Sequence, residues 1–173
     1  KALGIKWQMD VKYVPRSCYV GKVPEKFYQY TMIDEASRER FIYPYVEISS
    51  YSTIDFVKRA IAYFGFKPIT IQTDNGTEFT YSKEYARTHP FDIFYKKVGI
   101  EHKLIRPRTP WHNGKVERSH RNDQERFYNF LSFYSFMDLK KQMYRYMRRS
   151  NNIPMAVLGW MSPVEKRAQL EGH

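Results

Sequence analysis

Residues 5–14 form the stretch Ile5-Lys-Trp-Gln-Met-Asp-Val-Lys-Tyr-Val14, in which apolar and polar side chains alternate. A period of two is typical of an amphipathic strand, because successive side chains of a strand point to opposite faces of the sheet. We therefore predict that the apolar set, from Ile5 to Tyr13, faces the core. Asp10 then lies on the polar face of a strand that opens the fold.

The chain beyond this strand predicts four more strands and several helices. Pro44 lacks an amide hydrogen, so the third strand is expected to lie on an edge of the sheet or to carry a bulge. Ser52 or Thr53 is the expected N-cap of the first helix. The elements together predict an α/β fold, a five-stranded mixed sheet flanked by helices. The further predicted strands cover 27–33, 41–48, 68–73 and 100–105, and the predicted helices cover 54–64, 91–98, 113–130 and 136–149, with a short last helix from Ser162.

The length of 173 residues is suited to one globular domain. We assign residues 1–150 to this core and residues 151–173 to a C-terminal tail. The tail is expected to pack back on the core or extend from it, and its apolar side chains for packing are Val157, Leu158, Trp160 and Met161.

The composition excludes several classes of protein. No apolar run approaches the ~20 residues that a membrane span needs. The single cysteine, Cys18, excludes an internal disulfide and leaves a Cys/His zinc finger without its second thiolate. A reducing cytoplasm is therefore the expected location.

Positive charge is concentrated in one part of the chain. The net charge is +11, and residues 101–149 carry twelve Lys and Arg against five Asp and Glu. A local excess of this kind suits a surface that follows the phosphates of a nucleic acid. The alternative is a basic surface that only keeps the protein soluble.

Three acidic residues are candidate metal ligands. Asp10 lies on the first strand, Asp74 begins Asp74-Asn-Gly-Thr-Glu-Phe79 at the end of a buried strand, and Glu117 lies in Asn113-Gly-Lys-Val-Glu-Arg-Ser-His120. Asn113 is the expected N-cap, which puts Glu117 in the first turn of a helix, where the helix dipole favours an ionised carboxylate. If folding brings the three carboxylates together, they can hold divalent metal ions. The alternative is a solvated helix in which Glu117 pairs with Arg121.

The helix that carries Glu117 has few apolar residues. The segment 111–126 contains only two large ones, Trp111 and Val116, so we expect the helix to face nucleic acid instead of a core. Plain surface charge is the alternative for each basic residue. The candidate phosphate contacts are Lys115, Arg118 and Arg121. Three further candidates for contact with the nucleic acid are His112, Asn113 and His120.

These motifs occur together and in order, with Gly99-Ile-Glu-His102, Pro107 and Pro110 between them. The set resembles the catalytic core of the retroviral-type integrases, and within that superfamily it is most similar to the DDE transposases of bacterial insertion sequences. The resemblance implies a ribonuclease H-like fold and an Asp10, Asp74 and Glu117 triad that binds two Mg²⁺ or Mn²⁺. It also implies DNA ends and target DNA as partners, and a homo-oligomer that is at least a dimer.

The sequence departs from the family pattern in two places. Asp74 and Glu117 have 42 residues between them, and we assign the surplus to a surface insertion at 81–91. Near the C-terminus, Asn151-Asn-Ile-Pro-Met155 lacks the Arg and His that related transposases often have there. The N-terminal DNA-reading domain of such transposases is also expected to lie outside this chain.

The expected activity is cleavage of DNA ends followed by strand transfer. A hydrolytic nuclease of the same fold, a non-catalytic DNA-binding module and an inactive core kept for protein assembly are the alternatives. Glu78 is ranked behind the triad, in a supporting or structural role. His89 and His102 are interpreted as ordinary structural residues.

Overall fold

The computed structural model describes residues 2–80, 88–106 and 108–172. Residues 81–87 of the expected insertion, and Pro107, lie outside the described residues. The strands are β1 (Lys6–Tyr13), β2 (Tyr28–Asp34), β3 (Arg40–Tyr45), β4 (Thr70–Thr73) and β5 (Glu101–Leu104). The helices are α1 (Ser50–Phe64), α2 (Pro90–Val98), α3 (Gly114–Arg126), α4 (Phe136–Ser150) and α5 (Pro163–Glu171), with short 3-10 turns at Arg16–Cys18, Pro110–Asn113, Tyr128–Phe130 and Ala156–Leu158.

The five strands form one sheet in the order β3-β2-β1-β4-β5. β1, β2 and β3 pair antiparallel, whereas β4 pairs parallel with both β1 and β5. The predicted five-stranded mixed sheet is therefore confirmed. β3 is an edge strand, as Pro44 indicated, because that residue cannot donate to a second neighbour.

Aromatic side chains dominate the core. The indole of Trp7 is fully buried and packs on Phe64, with the ring centroids 4.7 Å apart. The prediction for β1 is wrong at its ends, since Ile5 is 50% exposed and Tyr13 is 65% exposed. The alternation marks the strand correctly, but the neighbouring elements do not extend far enough to cover either end.

The N-cap of α1 also differs from the prediction. Ser49 is the cap, and its hydroxyl accepts a hydrogen bond from the Ser52 amide at 3.1 Å. Ser52 and Thr53 lie inside the first turn and are buried. Ser49, Ser52 and Thr53 have similar intrinsic capping preference, so packing decides which of them caps the helix.

The helix α3 packs on the sheet, which contradicts the expectation that its polar character keeps it away from a core. Val116, Ser119 and Asp123 are its buried residues. Asp123 accepts two hydrogen bonds from the Arg40 guanidinium, at 2.8 and 2.7 Å. Burial disfavours the charged form of Asp123, but the Arg40 guanidinium outweighs it and lowers the pKa of this carboxyl to about 2. A fully paired buried carboxylate thus takes the place of an apolar stripe.

The C-terminal segment attaches to β3 and ends in a well-capped helix. Asn151 exchanges two hydrogen bonds with the Arg40 backbone, at 3.0 and 2.8 Å. The expected packing of the tail is wrong for two residues, because Val157 is 60% exposed and Trp160 is 72% exposed, whereas Leu158 is buried. The division at residue 150 stays a prediction. In the described part of the chain, no helix is both long and apolar enough to cross a bilayer.

Candidate active site

Two of the predicted carboxylates are aligned by the pairing of β1 with β4. The parallel register places Gln8 opposite Gln72. Asp10 and Asp74 each follow two residues later, with Asp74 just past the end of β4, so both lie at the same end of neighbouring strands, which run about 4.8 Å apart in a sheet. Asp74 is held in the turn after β4, where its Oδ1 accepts a hydrogen bond from the Gly76 amide at 2.8 Å.

The start of α3 is anchored to the same face of the two strands. The Val116 amide donates to Gln8 Oε1 at 3.1 Å, and the Gln72 side-chain amide donates to the His112 carbonyl. Glu117 follows Val116 directly, in the first turn of α3. Buried glutamines on neighbouring strands therefore place the third carboxylate beside the other two.

The buried side chain of Asn113 makes a contact with β1 that the sequence did not indicate. Its side chain makes no capping hydrogen bond, is 1% exposed, and donates to the Met9 carbonyl at 3.2 Å. Asn113 thus occupies the predicted N-cap position of α3, but its side chain does not make the capping hydrogen bond. The burial also argues against the predicted DNA contact, and we interpret Asn113 as a residue that holds α3 on β1. Its Oδ1 is the one buried side-chain oxygen or nitrogen without a hydrogen-bond partner among the described residues.

The carboxylates are close enough to influence one another. Burial and then the negative charge of Asp74 raise the pKa of Asp10 from 3.8 to about 7, with Glu117 and Glu78 adding to the increase. Burial and Asp74 also raise the pKa of Glu117 and contribute to the raised pKa of Glu78. Four carboxylates thus repel one another, which favours binding of positive ions at this site.

The donor set fits hard divalent cations, since it consists of carboxylate oxygens on a partly buried surface. Among the described residues, however, no three His, Cys, Asp or Glu side chains already surround one point as metal ligands. The carboxylates are neighbours, but their side chains must rotate before they can share an ion. The Asp74 bond to Gly76 is one contact that such a rotation changes.

A buried chain of hydrogen bonds leads from the Arg40 and Asp123 ion pair to the site. Because ionised Asp123 only accepts, the Gln29 contact at 3.0 Å must be made by the amide nitrogen. The second hydrogen of that nitrogen is donated to Thr31 Oγ1 at 2.8 Å. The Thr31 hydroxyl then has its own hydrogen left to donate to His120 Nε2, 3.0 Å away.

This chain selects one tautomer of His120. With Nε2 as the acceptor, the ring hydrogen is on Nδ1, which lies 3.8 Å from Asp10 Oδ2. Burial lowers the pKa of His120 to about 4, so the ring is neutral at pH 7. A neutral N–H group therefore faces the central carboxylate of the site. The sequence did not indicate this role for Thr31 or Gln29, whose only signal was a polar residue inside an apolar strand.

The other predicted DNA contacts are in three different settings. His112, Arg118 and Arg121 are exposed. Lys115 is half-buried and forms an ion pair with Glu35 at 3.2 Å. The His120 side chain is 13% exposed and is occupied by the network just described. The exposed three can meet a phosphate directly, whereas Lys115 must first leave Glu35.

The fold matches that of known integrase cores. The structure superposes on the magnesium-bound dimeric catalytic core domain of HTLV-2 integrase with TM-score 0.69 and 20% identity, covering 96% of this chain and 97% of that one. The catalytic core domain of BIV integrase gives TM-score 0.70 and 18% identity, with 98% and 97% covered. The fold is therefore the ribonuclease H-like fold of retroviral-type integrase catalytic cores.

Sequence comparison identifies the family. A family model described as Integrase core domain matches residues 2–110, and a second with the same description matches residues 98–163. The chain belongs to the Integrase core domain family. The putative integrase ORF3 of Spiroplasma virus SpV1-C74 is 37% identical over 124 residues, which cover 66% of this chain and 34% of that protein.

A second curated relative is the retrovirus-related Pol polyprotein from transposon RE2 of Arabidopsis thaliana. It is 27% identical over 146 residues, which cover 80% of this chain and 9% of that protein. The chain thus spans about a third or less of the length of the curated relatives that it matches.

Proposed function

We propose that this chain is the catalytic domain of a DNA transposase or integrase, which cleaves DNA ends and joins them to a target. The observation that carries the proposal is the register of β1 and β4, which brings Asp10 and Asp74 to the same end of adjacent chains, with the anchored start of α3 carrying Glu117. The integrase family match and the magnesium-bound HTLV-2 core support it.

The triad is proposed to hold two Mg²⁺ or Mn²⁺. Asp10, Asp74 and Glu117 would together supply the carboxylate oxygens that hold these ions. Bound divalent cations activate an oxygen nucleophile and stabilise the leaving 3′ oxygen of a phosphodiester. The attacking group would be water in end cleavage and the freed 3′-hydroxyl in strand transfer.

The surrounding residues position this machinery. The neutral ring of His120 lies beside this centre, with its Nδ1 3.8 Å from the Asp10 carboxylate. Arg118 and Arg121, both exposed on α3, would bind phosphates of the DNA. The proposed partners are element ends and target DNA, bound by a homo-oligomer whose full-length chains also carry a DNA-reading domain.

A joining assay tests the proposal. A labelled donor-end duplex and an unlabelled target duplex are incubated with the protein and Mg²⁺ or Mn²⁺, and the products are separated by length. Labelled products longer than the donor are expected from the wild-type chain. Asp10→Asn, Asp74→Asn and Glu117→Gln should each abolish both shorter and longer products. Lys96→Gln, on the exposed surface of α2, is the matched control and should retain them.

The alternatives give different results in the same assay. Shorter products alone, at every protein and target concentration, would identify a hydrolytic nuclease. DNA binding that is indifferent to the metal and to Asp74→Asn, with no change in product length, would identify a non-catalytic binding module.

A further inference from the structure

A second concave surface lies on the flank of α3 that faces away from Glu117. It is a groove of about 760 Å³ between α3, the turn that joins β2 to β3, and the segment 151–163. Lys115, Arg118 and Asn122 of α3 line it, at helical spacings of three and four residues. Glu117 and His120 are on the other side of the same helix. The groove is therefore separate from the carboxylate site but joined to it through one helix.

The groove carries unbalanced positive charge. Six Lys or Arg residues line it, against one acidic residue, Glu35, within the described part of the chain. Glu35 pairs with Lys6 at 3.3 Å and with Lys115 at 3.2 Å. None of the ion pairs among the described residues includes Arg38, Arg118 or Arg126. Three guanidinium groups at this groove are thus left for an anion from outside.

Two of these arginines are close neighbours. Burial lowers the pKa of Arg38, and the positive charge of Arg118 adds to the lowering, while Glu35 and Asp34 oppose it. Two guanidinium groups repel each other unless an anion lies between them, and phosphate matches their planar hydrogen-bonding geometry. Because both guanidinium groups line the same groove, a phosphate group bound there can contact both.

The backbone holds two bulky side chains at this groove in a strained conformation. Arg38 has φ 64° and Trp160 has φ 67°, a region that glycine or asparagine occupies more easily. Asp34 stabilises the first turn by accepting hydrogen bonds from the amides of Ala36 and Ser37, at 3.2 and 2.9 Å. Two of the three non-glycine residues with positive φ in the described ranges line this groove. Strain that is kept in this way is typical of functional surfaces.

Exposed tryptophans complete the surface. Trp111 is 68% exposed and Trp160 is 72% exposed, and both line the groove, whereas Trp7 is fully buried in the core. Indole rings beside cations are the usual stacking surface for unpaired bases, because every base has a face that can stack. A groove of about 760 Å³ has the volume of a few nucleotides, which is much less than one turn of a duplex occupies.

We propose that this groove binds a single strand of DNA, with Arg38 and Arg118 on a phosphate and with Trp111 and Trp160 stacking on bases. This inference rests on the proposed function, since it assigns a place to a strand that is unpaired near the cleaved end. The site holds that strand on one flank of α3 while the carboxylates act on the other flank.

Tryptophan fluorescence tests the proposal directly, because the chain contains only three tryptophans. The full chain is titrated in EDTA with a short oligo(dT), since stacking on thymine quenches indole emission. We expect saturable quenching, with residual emission from buried Trp7. Trp160→Ala should weaken binding about tenfold or more, as loss of one stacked base does, followed through the remaining signal of Trp111. Trp111→Ala is the reciprocal variant, followed through Trp160.

The arginine contact has its own measurement. Arg38→Gln should reduce the salt dependence of oligo(dT) affinity by about 0.7 in the log–log slope, the value for one phosphate on a single strand. Tyr51→Ala, an exposed aromatic on α1, and Lys96→Gln are the matched controls and should leave affinity and slope unchanged. Circular dichroism of each variant checks folding, and Trp160→Gly is the substitute if the alanine variant is unfolded.

Several outcomes would overturn the proposal. An absence of quenching, equal quenching by a duplex of the same length, or tryptophan variants that bind like the wild type would each do so. If Trp160→Ala has a lower sedimentation mass than the wild type but the same affinity for oligo(dT), a second copy of the chain covers the groove instead. The titration contains no metal, so its result is independent of the joining reaction. If the protein joins DNA but oligo(dT) does not quench its fluorescence, only the proposal for the groove is refuted. If oligo(dT) quenches the fluorescence but the protein neither cleaves nor joins DNA, only the proposed function is refuted.

Discussion

Replacing Asp10 by asparagine should stabilise the metal-free protein. The pKa of Asp10 is raised from 3.8 to about 7, mainly by burial and then by Asp74. Each unit of difference in pKa corresponds to about 1.4 kcal/mol, so ionised Asp10 lowers the free energy of unfolding by roughly 4 kcal/mol. The side chain is 17% exposed, so solvent screening reduces this figure only in part. Asp10→Asn keeps the shape of the side chain and removes the charge.

The effect has a defined pH dependence. Because the pKa of Asp10 is higher in the folded chain than in the unfolded chain, the destabilisation is absent below pH 4. It grows between about pH 4 and pH 7 and is constant above that. In thermal melts with EDTA at pH 8, an increase of up to about 8–16 °C is expected for a chain of this size, and little change at pH 4. Added Mg²⁺ should raise the melting temperature of the wild type and not that of the variant.

A matched control removes one negative charge elsewhere. Glu25→Gln, in the exposed loop before β2, should change the melting temperature little at either pH. A folded, metal-free Asp10→Asn with a clearly lower melting temperature than the wild type at pH 8 would refute the reasoning. Asp10 would then be a structural hydrogen-bonding residue, and the carboxylate site would lose its central member.

Three further predictions concern the residues that hold the site. Asp123→Asn leaves the buried Arg40 without its counter-ion and should lower the free energy of unfolding by roughly 3–5 kcal/mol, measured by urea titration; an unchanged midpoint would contradict the burial of the pair. Thr31→Val removes the hydroxyl that donates to His120 Nε2, so nitrogen NMR should show the Nδ1–H tautomer in the wild type and a mixture in the variant; identical spectra would exclude the selection of one tautomer. Gln8→Met removes the acceptor of the Val116 amide, so we expect kcat to fall more than the affinity for DNA changes. An equal loss of both would mean that this hydrogen bond does not act through Glu117.

The sequence alone was sufficient for much of the fold and for naming three acidic residues as the candidate triad. The alternation in 5–14 predicted β1 and put Asp10 on the polar face, and turn residues after 68–73 placed Asp74 at a strand end. These signals are local, because the period of a strand and the chemistry of a turn depend on residues next to one another. The motif order then connected the three acidic residues before any distance was known.

The tertiary structure decided what the polar residues do. The polarity of α3 predicted a helix facing nucleic acid, yet Asp123 is buried because Arg40, 83 positions away, pairs with it. Gln8 holds the start of α3 through Val116, 108 positions away, and Thr31 orients His120 from 89 positions away. Trp160 was expected in the core and is instead exposed in the groove beside α3. A local pattern shows that a side chain is polar or apolar, but its partner is set by which distant segments the sheet brings together, and no periodicity within the chain contains that information.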